Sequence, residues 1–338
     1  MTDKTLSVSI SGLSGIQTVT VSESHDASTA MATINCHGNT KDVGDALDIT
    51  LGYVGNTGHV FSGYVKKVEK STPDGLWTIS AYDDLIRACD FFIVGPGPNE
   101  PFTYRNISAE NLIGTVLGMA GLGNFDFDPT YFTFGIENDV EVNLVSSYDY
   151  ARMISDIIAY GLWCDRTGVI KLKNRKPYPM DGTSQQPGDY PDTPIATITD
   201  PIIMSETYGW NEHDLRNKIV VYGEGEISAS ASKATSLDPL TGTYRQILPA
   251  GFFKAAVLAS PLIDNASMAQ DAAKYNLHML NKLTYEIPIV VEGNPILEAR
   301  YTVNVVTTKG GFSGEFYIYQ LEHIWGSGGY TTSMVLRM

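Results

Sequence analysis

The chain of 338 residues is poor in cysteine and in basic residues and has no long apolar run. Cys36, Cys89 and Cys164 are an odd, scattered set without a C-x-x-C, which suits reduced, buried thiols better than a disulfide framework or a zinc site. No stretch approaches the roughly 20 apolar residues that cross a bilayer. With 43% hydrophobic and 18% charged residues, the composition is that of a soluble globular chain. At the start, Asp3 and alternating polar residues stand where an export signal would carry a basic end and an apolar block, so a protein made and kept in the cytoplasm is expected. Lys and Arg number 23 against 38 Asp and Glu, a net charge of −15 that repels nucleic acid wherever the acids face it. That acidity serves solubility, or it lines a passage that does not grip DNA; composition leaves both open.

Catalytic patterns are missing as well. Neither Gly12-Leu13-Ser14-Gly15 nor Gly311-Phe312-Ser313-Gly314 completes a nucleophile elbow, and no glycine leads into the Lys-Ser/Thr of a phosphate loop. Gly114, Gly118, Gly121 and Gly123 lack the spacing of a dinucleotide fingerprint and read instead as close helix packing. His25, His37, His59, His213, His278 and His323 show no metal-ligand spacing. Asp126 and Asp128 sit in an ordinary turn rather than a calcium loop, and pairs such as Asp83 with Asp84, or Glu206 with Glu212, arise by chance in an acidic chain. No catalytic, cofactor-binding or metal-ligating residue is assigned, and no cofactor is expected.

What the chain does have is punctuated alternation. Leu6 to Ile79 reads as an all-β unit cut by turns at Ser11-Gly12, Gly38-Asn39 and Gly55-Asn56, with a hairpin from Val60 to Val68 that turns at Pro73-Asp74-Gly75 and returns through Ile79. Tyr82 to Arg87 starts a helical turn. Gly95 to Pro101, with its alternating glycine and proline, marks a boundary. Beyond it, Ser108 caps a helix with Leu112, Ile113, Val116, Leu117 and Ala120 inward and Gly121 as its stop. Ser147 caps a second, with Tyr150, Ile154, Ile157 and Ile158 inward and Gly161 as its stop, followed by a hairpin turning at Asp165 to Gly168. Five prolines between Lys176 and Asp200 (Pro177, Pro179, Pro187, Pro191 and Pro194) make an exposed connection. Asn217 to Gly223 is a strand, and Glu226 to Leu240, rich in Ser and Ala, reads as a mobile loop. Asp264 then caps a helix with Ala269, Ala272, Ala273, Leu277 and Leu280 on one face, before strands at Thr284 to Val291, Tyr301 to Thr307, Phe316 to Ile324 and Tyr330 to Leu336.

Two hairpins echo each other: Gly63 to Glu69 with Gly75 to Ile79, and Glu315 to Glu322 with Gly329 to Ser333. Such an echo suggests two copies of one β unit, although any two alternating hairpins share a pattern. The tyrosines, 19 of them, suit strand rims and subunit contacts more than sugar-binding faces; Tyr301, Tyr317 and Tyr319 are assigned to rim or contact.

Trp77 to Leu85, Tyr148 to Gly161, Val291-Glu292-Gly293-Asn294-Pro295, Tyr317 to His323 and Gly329-Tyr330-Thr331-Thr332 follow one another in the order seen in a known family. Most of the chain resembles the baseplate hub proteins of contractile phage tails and related injection systems, the late control proteins of myophages among them. A departure lies at Glu298-Ala299-Arg300, where the family usually has a glycine before the next strand. The resemblance implies an α+β, mainly β fold: two tail-tube-like β-barrels with an inserted α/β domain. Its units are residues 1–94, the first barrel; 95–200, the mixed insert with its proline-rich connection; and 201–338, the second barrel with one helix. It further implies a non-enzymatic homotrimer in the virion baseplate, assembled in the host cytoplasm and away from any membrane. Its six barrels would join a trimeric tail spike to the hexameric tail tube among other baseplate proteins, with DNA passing the lumen unbound. The competing readings are a carbohydrate-binding adhesin on β-sandwiches and a glycosidase with a carboxylate pair.

Overall fold

Alternation of inward apolar and outward polar residues builds the first six strands: β1 (Leu6–Ser9), β2 (Leu13–Ser24), β3 (Met31–Asn39), β4 (Ala46–Tyr53), β5 (Asn56–Lys70) and β6 (Trp77–Tyr82). They pair in the order β1-β4-β5-β6-β3-β2 around a core of Val19, Val21, Ile34, Ile49, Phe61 and Ile79 among others. The computed structural model describes residues 5–97, 100–130, 132–158, 160–173, 193–308 and 310–338. Pro98 and Asn99 of the boundary stretch, and Pro177, Pro179, Pro187 and Pro191 of the connection, lie outside the described residues.

The middle of the chain holds α1 (Leu85–Asp90), α2 (Ala109–Met119), β7 (Phe125–Phe127), α3 (Ser147–Ile158), β8 (Gly161–Cys164) and β9 (Ile170–Lys173). Leu112, Ile113, Val116 and Leu117 of α2 meet Ile154, Ile157 and Ile158 of α3, as their spacing predicts. Gly121, at φ 76°, closes α2: its N–H donates to Gly118 O while Leu122 N–H reaches back to Leu117 O. Gly114, Gly118 and Gly123 make no tight contact. A Cβ on Gly114 would sit 3.6 Å from Phe127 and one on Gly118 would meet open space, so close helix packing is not their purpose. The cap of α3 is Ser146 rather than Ser147: its Oγ accepts Asp149 N–H at 3.0 Å and donates to the Asp149 carboxylate at 2.6 Å. Ser147 points inward and donates to Val116 O, tying the two helices together. Gly161 opens β8 instead of capping the helix, and Ser108 precedes α2 without a side-chain capping bond.

From there come β10 (Ala196–Thr199), β11 (Ile203–Glu206) and β12 (Gly209–Asn211), then β13 (Lys218–Tyr222), β14 (Ser228–Ser232), β15 (Ala255–Ala259) and α4 (Ala266–Leu280). The mobile loop expected after Gly223 is instead structured. Ser and Ala alternate in Ser228-Ala229-Ser230-Ala231-Ser232, so one face of β14 is small and apolar and takes the alanine face of α4, and Ser236, Leu237 and Asp238 are buried. Side chains too small to look like a strand pattern are what permit helix and strand to approach. The α4 cap is Asn265, whose Oδ1 accepts Met268 N–H at 2.9 Å; Asp264 turns away and accepts the N–H groups of Ile136 and Glu137, both at 3.0 Å. One core unites α1 to α3 with Ile219, Val221, Ala269, Ala272 and Ala273.

The last strands, β16 (Thr284–Glu292), β17 (Thr302–Thr307), β18 (Phe312–Gly326) and β19 (Gly329–Arg337), lie where alternation predicts them and surround Ile287, Ile289, Val303, Phe316, Ile318 and Leu336. The two β units are one 13-stranded sheet, because β2 pairs with β18 from Thr18↔Gly326 to Ser24↔Gln320. The echoed hairpins share a detail: β5 bulges between Val65 and Lys67, and β18 between Ile318 and Gln320, at the same step of the echo. The fold is mainly β with few helices, and Cys36, Cys89 and Cys164 are free thiols.

Candidate functional site

The two faces of the sheet differ in chemistry where its halves meet. On the open face, register aligns Ser80, Thr33, Thr20, Ile324 and Thr331 in one row and Tyr82, Met31, Ser22, Glu322 and Ser333 in the next. Beside them, Asn35 Nδ2 donates to Thr18 Oγ1 and Thr78 Oγ1 donates to Asn35 Oδ1, both at 2.8 Å. Hydroxyls recur in these rows because β2, β6 and β19 alternate Ser or Thr with core residues, while β3 contributes Thr33 beside Met31 and Asn35. Lys67, which extends the first row onto β5, pairs with Glu69 at 2.8 Å, and Arg337, further along β19, pairs with Glu286 at 2.9 Å while its guanidinium lies 3.6 Å over the Tyr319 ring. The face therefore offers a polyanion hydroxyls, Glu322, Glu292 and paired charges.

On the opposite side of the same seam lies a buried polar junction. The turn between β8 and β9 drives Arg166 between the two halves of the sheet. Its Nε meets Glu298 Oε2 at 2.8 Å, Nη1 donates to His59 O at 3.1 Å and to Pro295 O, and Nη2 donates to Ile296 O at 3.2 Å and Leu297 O at 2.7 Å. His59 Nε2 bonds back to Arg166 O at 2.9 Å. One guanidinium thus ties β5, the middle hairpin and the segment before β17, in the planar multi-donor geometry that only arginine supplies. Asp165 shapes the turn by accepting the N–H groups of Thr167 and Val169.

Around this peg, Glu23 on β2 accepts Ala299 N–H at 3.0 Å, and Arg300 donates to Ser24 O and Ala27 O and stacks 5.8 Å from the Trp163 ring. Arg300 has φ 71°, the left-handed conformation that suits glycine, at the very tripeptide where glycine is the residue expected from the resemblance. Burial, then the neighbouring Glu298, pushes the Glu23 carboxyl up to about 7; burial likewise raises Glu298 against the pull of Arg166. Asp83 accepts the N–H groups of Ala30 and Leu85 and is pushed by burial to about 7. His323 is fully buried, with Nε2 facing Leu297 O at 3.1 Å and Nδ1 facing Tyr330 OH at 2.9 Å, which makes Nε2 the protonated nitrogen. Burial and Arg166 hold its pKa down near 3.

The residue sets weighed in the sequence meet ordinary fates. Asp126 lies within β7 and Asp128 just after it, so the expected turn is instead a strand: Lys171 and Lys173 neutralise Asp126 at 2.8 and 2.6 Å, and Lys173 reaches Asp128 at 3.0 Å. Asp83 serves backbone donors, Asp84 precedes α1, and Glu206 Oε1 accepts from Thr307 Oγ1. Among the described residues no group of three His, Cys, Asp or Glu is placed to hold a metal ion, and no helix is long and apolar enough to cross a membrane. Tyr317 is buried and bonds His25, Tyr319 bonds Asp26, and Tyr208, Tyr285 and Phe312 stack on one another with Trp210 outermost. Apart from the exposed Trp210, these rings pack against protein. The carboxylates that do converge, Glu23 and Glu298, stand far apart in sequence and were not singled out as a pair; the irregular Glu298-Ala299-Arg300 was the signal available.

No protein-family model matches the chain, and no curated protein matches it. Solved structures do. The chain is similar to a tail protein from Neisseria meningitidis MC58, with a TM-score of 0.69 and 12% identity over 99% of this chain and 97% of that one. It is similar to the 43 kDa tail protein of prophage MuSo2 from Shewanella oneidensis, with a TM-score of 0.67 and 11% identity over 97% of both chains. An Escherichia coli component of the type VI secretion system aligns over 98% of this chain and 76% of its own, at a TM-score of 0.54 and 10% identity.

Proposed function

We propose that this chain, which has the fold of phage tail proteins, is a non-enzymatic structural subunit of a tail baseplate: a hub that joins a trimeric spike to a hexameric tube. The observation that carries this reading is the open face of the sheet, continuous across the β2–β18 seam, lined by hydroxyls and acids and with Lys67 and Arg337 each paired. In a three-fold ring, two such halves per chain give six units around an axis, and this face borders a channel through which DNA passes without a fixed grip. Such a subunit works in the virion, among other baseplate proteins, after assembly in the host cytoplasm. We also propose that the middle unit is discontinuous, residues 95–173 being completed by β13, β14, β15 and α4, with the two β units at either end of the chain.

Electron microscopy of the purified chain, alone and with candidate spike and tube proteins, tests the assembly: three-fold rings with an open centre are expected, and compact monomers under every condition overturn it. The lining has its own test. Replacing Thr20, Ser80 and Ser333 with lysine is expected to create duplex-DNA binding whose log affinity falls with log salt by about 0.9 per phosphate contacted. Duplex binding of similar strength by the unaltered chain would sink the idea of a non-gripping face.

A further inference from the structure

The Arg166 junction gathers charge from every element that packs against it. β2 supplies Glu23, the end of β6 supplies Asp83 and Asp84, and the β8–β9 turn supplies Asp165 and Arg166, with Lys171 at 3.4 Å from Asp165. The segment before β17 supplies Glu298 and Arg300, β5 supplies His59, and β18 supplies His323. Glu23, Asp83, Asp165, Glu298 and Arg300 are all buried. Such a set cannot carry all its charges without strain, since each carboxylate taken from water needs a partner of its own.

Glu23 occupies the sensitive position. Its carboxylate takes the N–H of Ala299, the residue between Glu298 and Arg300, so it touches the segment whose carbonyls form the socket for Arg166. Protonated Glu23 still accepts that N–H through its carbonyl oxygen and leaves Arg166 to Glu298 alone. Ionised Glu23 places a second negative charge beside Glu298 and competes with it for Arg166, with Arg300 a weaker cation beside Glu23.

We propose that this junction is a proton-operated latch: with Glu23 protonated, the Arg166–Glu298 pair holds the middle hairpin firmly between the two halves of the sheet, and with Glu23 ionised the grip slackens. The changeover falls near neutrality, because burial and Glu298 together raise the Glu23 carboxyl to about 7. His323 does not contribute, since its pKa near 3 keeps it neutral throughout. Asp83 faces Arg300 on the far side and titrates in the same range, which reinforces the direction: both carboxyls gain charge, and lose fit, as pH rises. The latch is a property of the folded chain and does not depend on its assembly into a baseplate.

Hydrogen exchange of the full chain, read by mass spectrometry between about pH 5.5 and about pH 8.5 and corrected for intrinsic rates, tests this. Protection of peptides covering residues 164–170 and 294–301 is expected to fall by about tenfold across the transition, one pH unit being a factor of ten in protonation. Peptides of α2 are expected to hold steady. Glu23→Gln, which keeps the side-chain volume and the acceptor, is expected to remove most of the step at residues 294–301 and leave only the share that Asp83 contributes. Glu298→Gln is expected to move it to lower pH by withdrawing the neighbouring charge. A flat profile in the unaltered chain, a step undiminished by Glu23→Gln, an unshifted step in Glu298→Gln, or loss of protection spread evenly over the chain each overturns the latch.

Discussion

Replacing Arg166 with methionine removes the guanidinium and retains most of the stem. The side chains of Arg166 and Glu298 are each 12% exposed, so Glu298 is left as a buried carboxylate without its counter-ion and the carbonyls of His59, Pro295, Ile296 and Leu297 each lose a donor. Breaking a buried pair in this way costs about 3 to 5 kcal/mol, mostly the desolvation of the stranded partner. At about 2 to 3 °C per kcal/mol for a chain of this size, thermal unfolding is expected to drop by roughly 6 to 15 °C. Differential scanning calorimetry, with urea unfolding alongside, reads the change. The double variant Arg166→Met, Glu298→Gln is expected to recover at least about 1 kcal/mol of the summed single losses, because the stranded charge is gone. A loss under about 1 kcal/mol in the single variant, or strict additivity in the double, would refute the view that this pair joins three parts of the molecule.

Two further outcomes follow from the same geometry. Arg300→Gly and Arg300→Ala lose the same side-chain contacts, so any difference between them reports the backbone at φ 71°; glycine is expected to be more stable than alanine by about 1 kcal/mol in urea unfolding, and the reverse order would remove the strain argument. Asp83, raised from 3.8 to about 7, binds its proton more tightly in the folded chain, so the stability it contributes is full below about pH 4 and is lost as pH rises through about 7. Unfolding free energy is accordingly expected to fall over that window by at most about 1.4 kcal/mol per pH unit from this group, and Asp83→Asn to flatten part of the slope; an identical slope in the variant would count against it.

Much of the molecule was legible because its signals are periodic and local. The apolar stripe of α2, the stop at Gly121, and the strands β16 to β19 each rest on residues that decide their own surroundings within one turn or one pleat. Misreadings occurred where side chains were small or duties were swapped between neighbours. Ser228 to Ser232 carries no bulky residue, and only the alanine face of α4 reveals why a strand is needed there. Asp264 and Asn265 are both good caps; that Asp264 is taken by the N–H groups of Ile136 and Glu137 is decided by a segment well over a hundred residues away.

By itself, then, the sequence determined the mainly β class, the positions of the long strands and helices, the absence of local catalytic patterns and the acidic balance, since each follows from composition or from spacing within a few residues. Tertiary structure alone decided that both β units share one sheet through β2 and β18, that Ser and Thr from both ends of the chain fall in the same cross-strand rows, and that Arg166 enters a socket built from His59 and Pro295 to Glu298. The reason is physical. Backbone pairing between distant strands, and the low-dielectric burial that makes Glu23, Glu298 and Arg166 act on one another, arise only when segments remote in sequence are packed together.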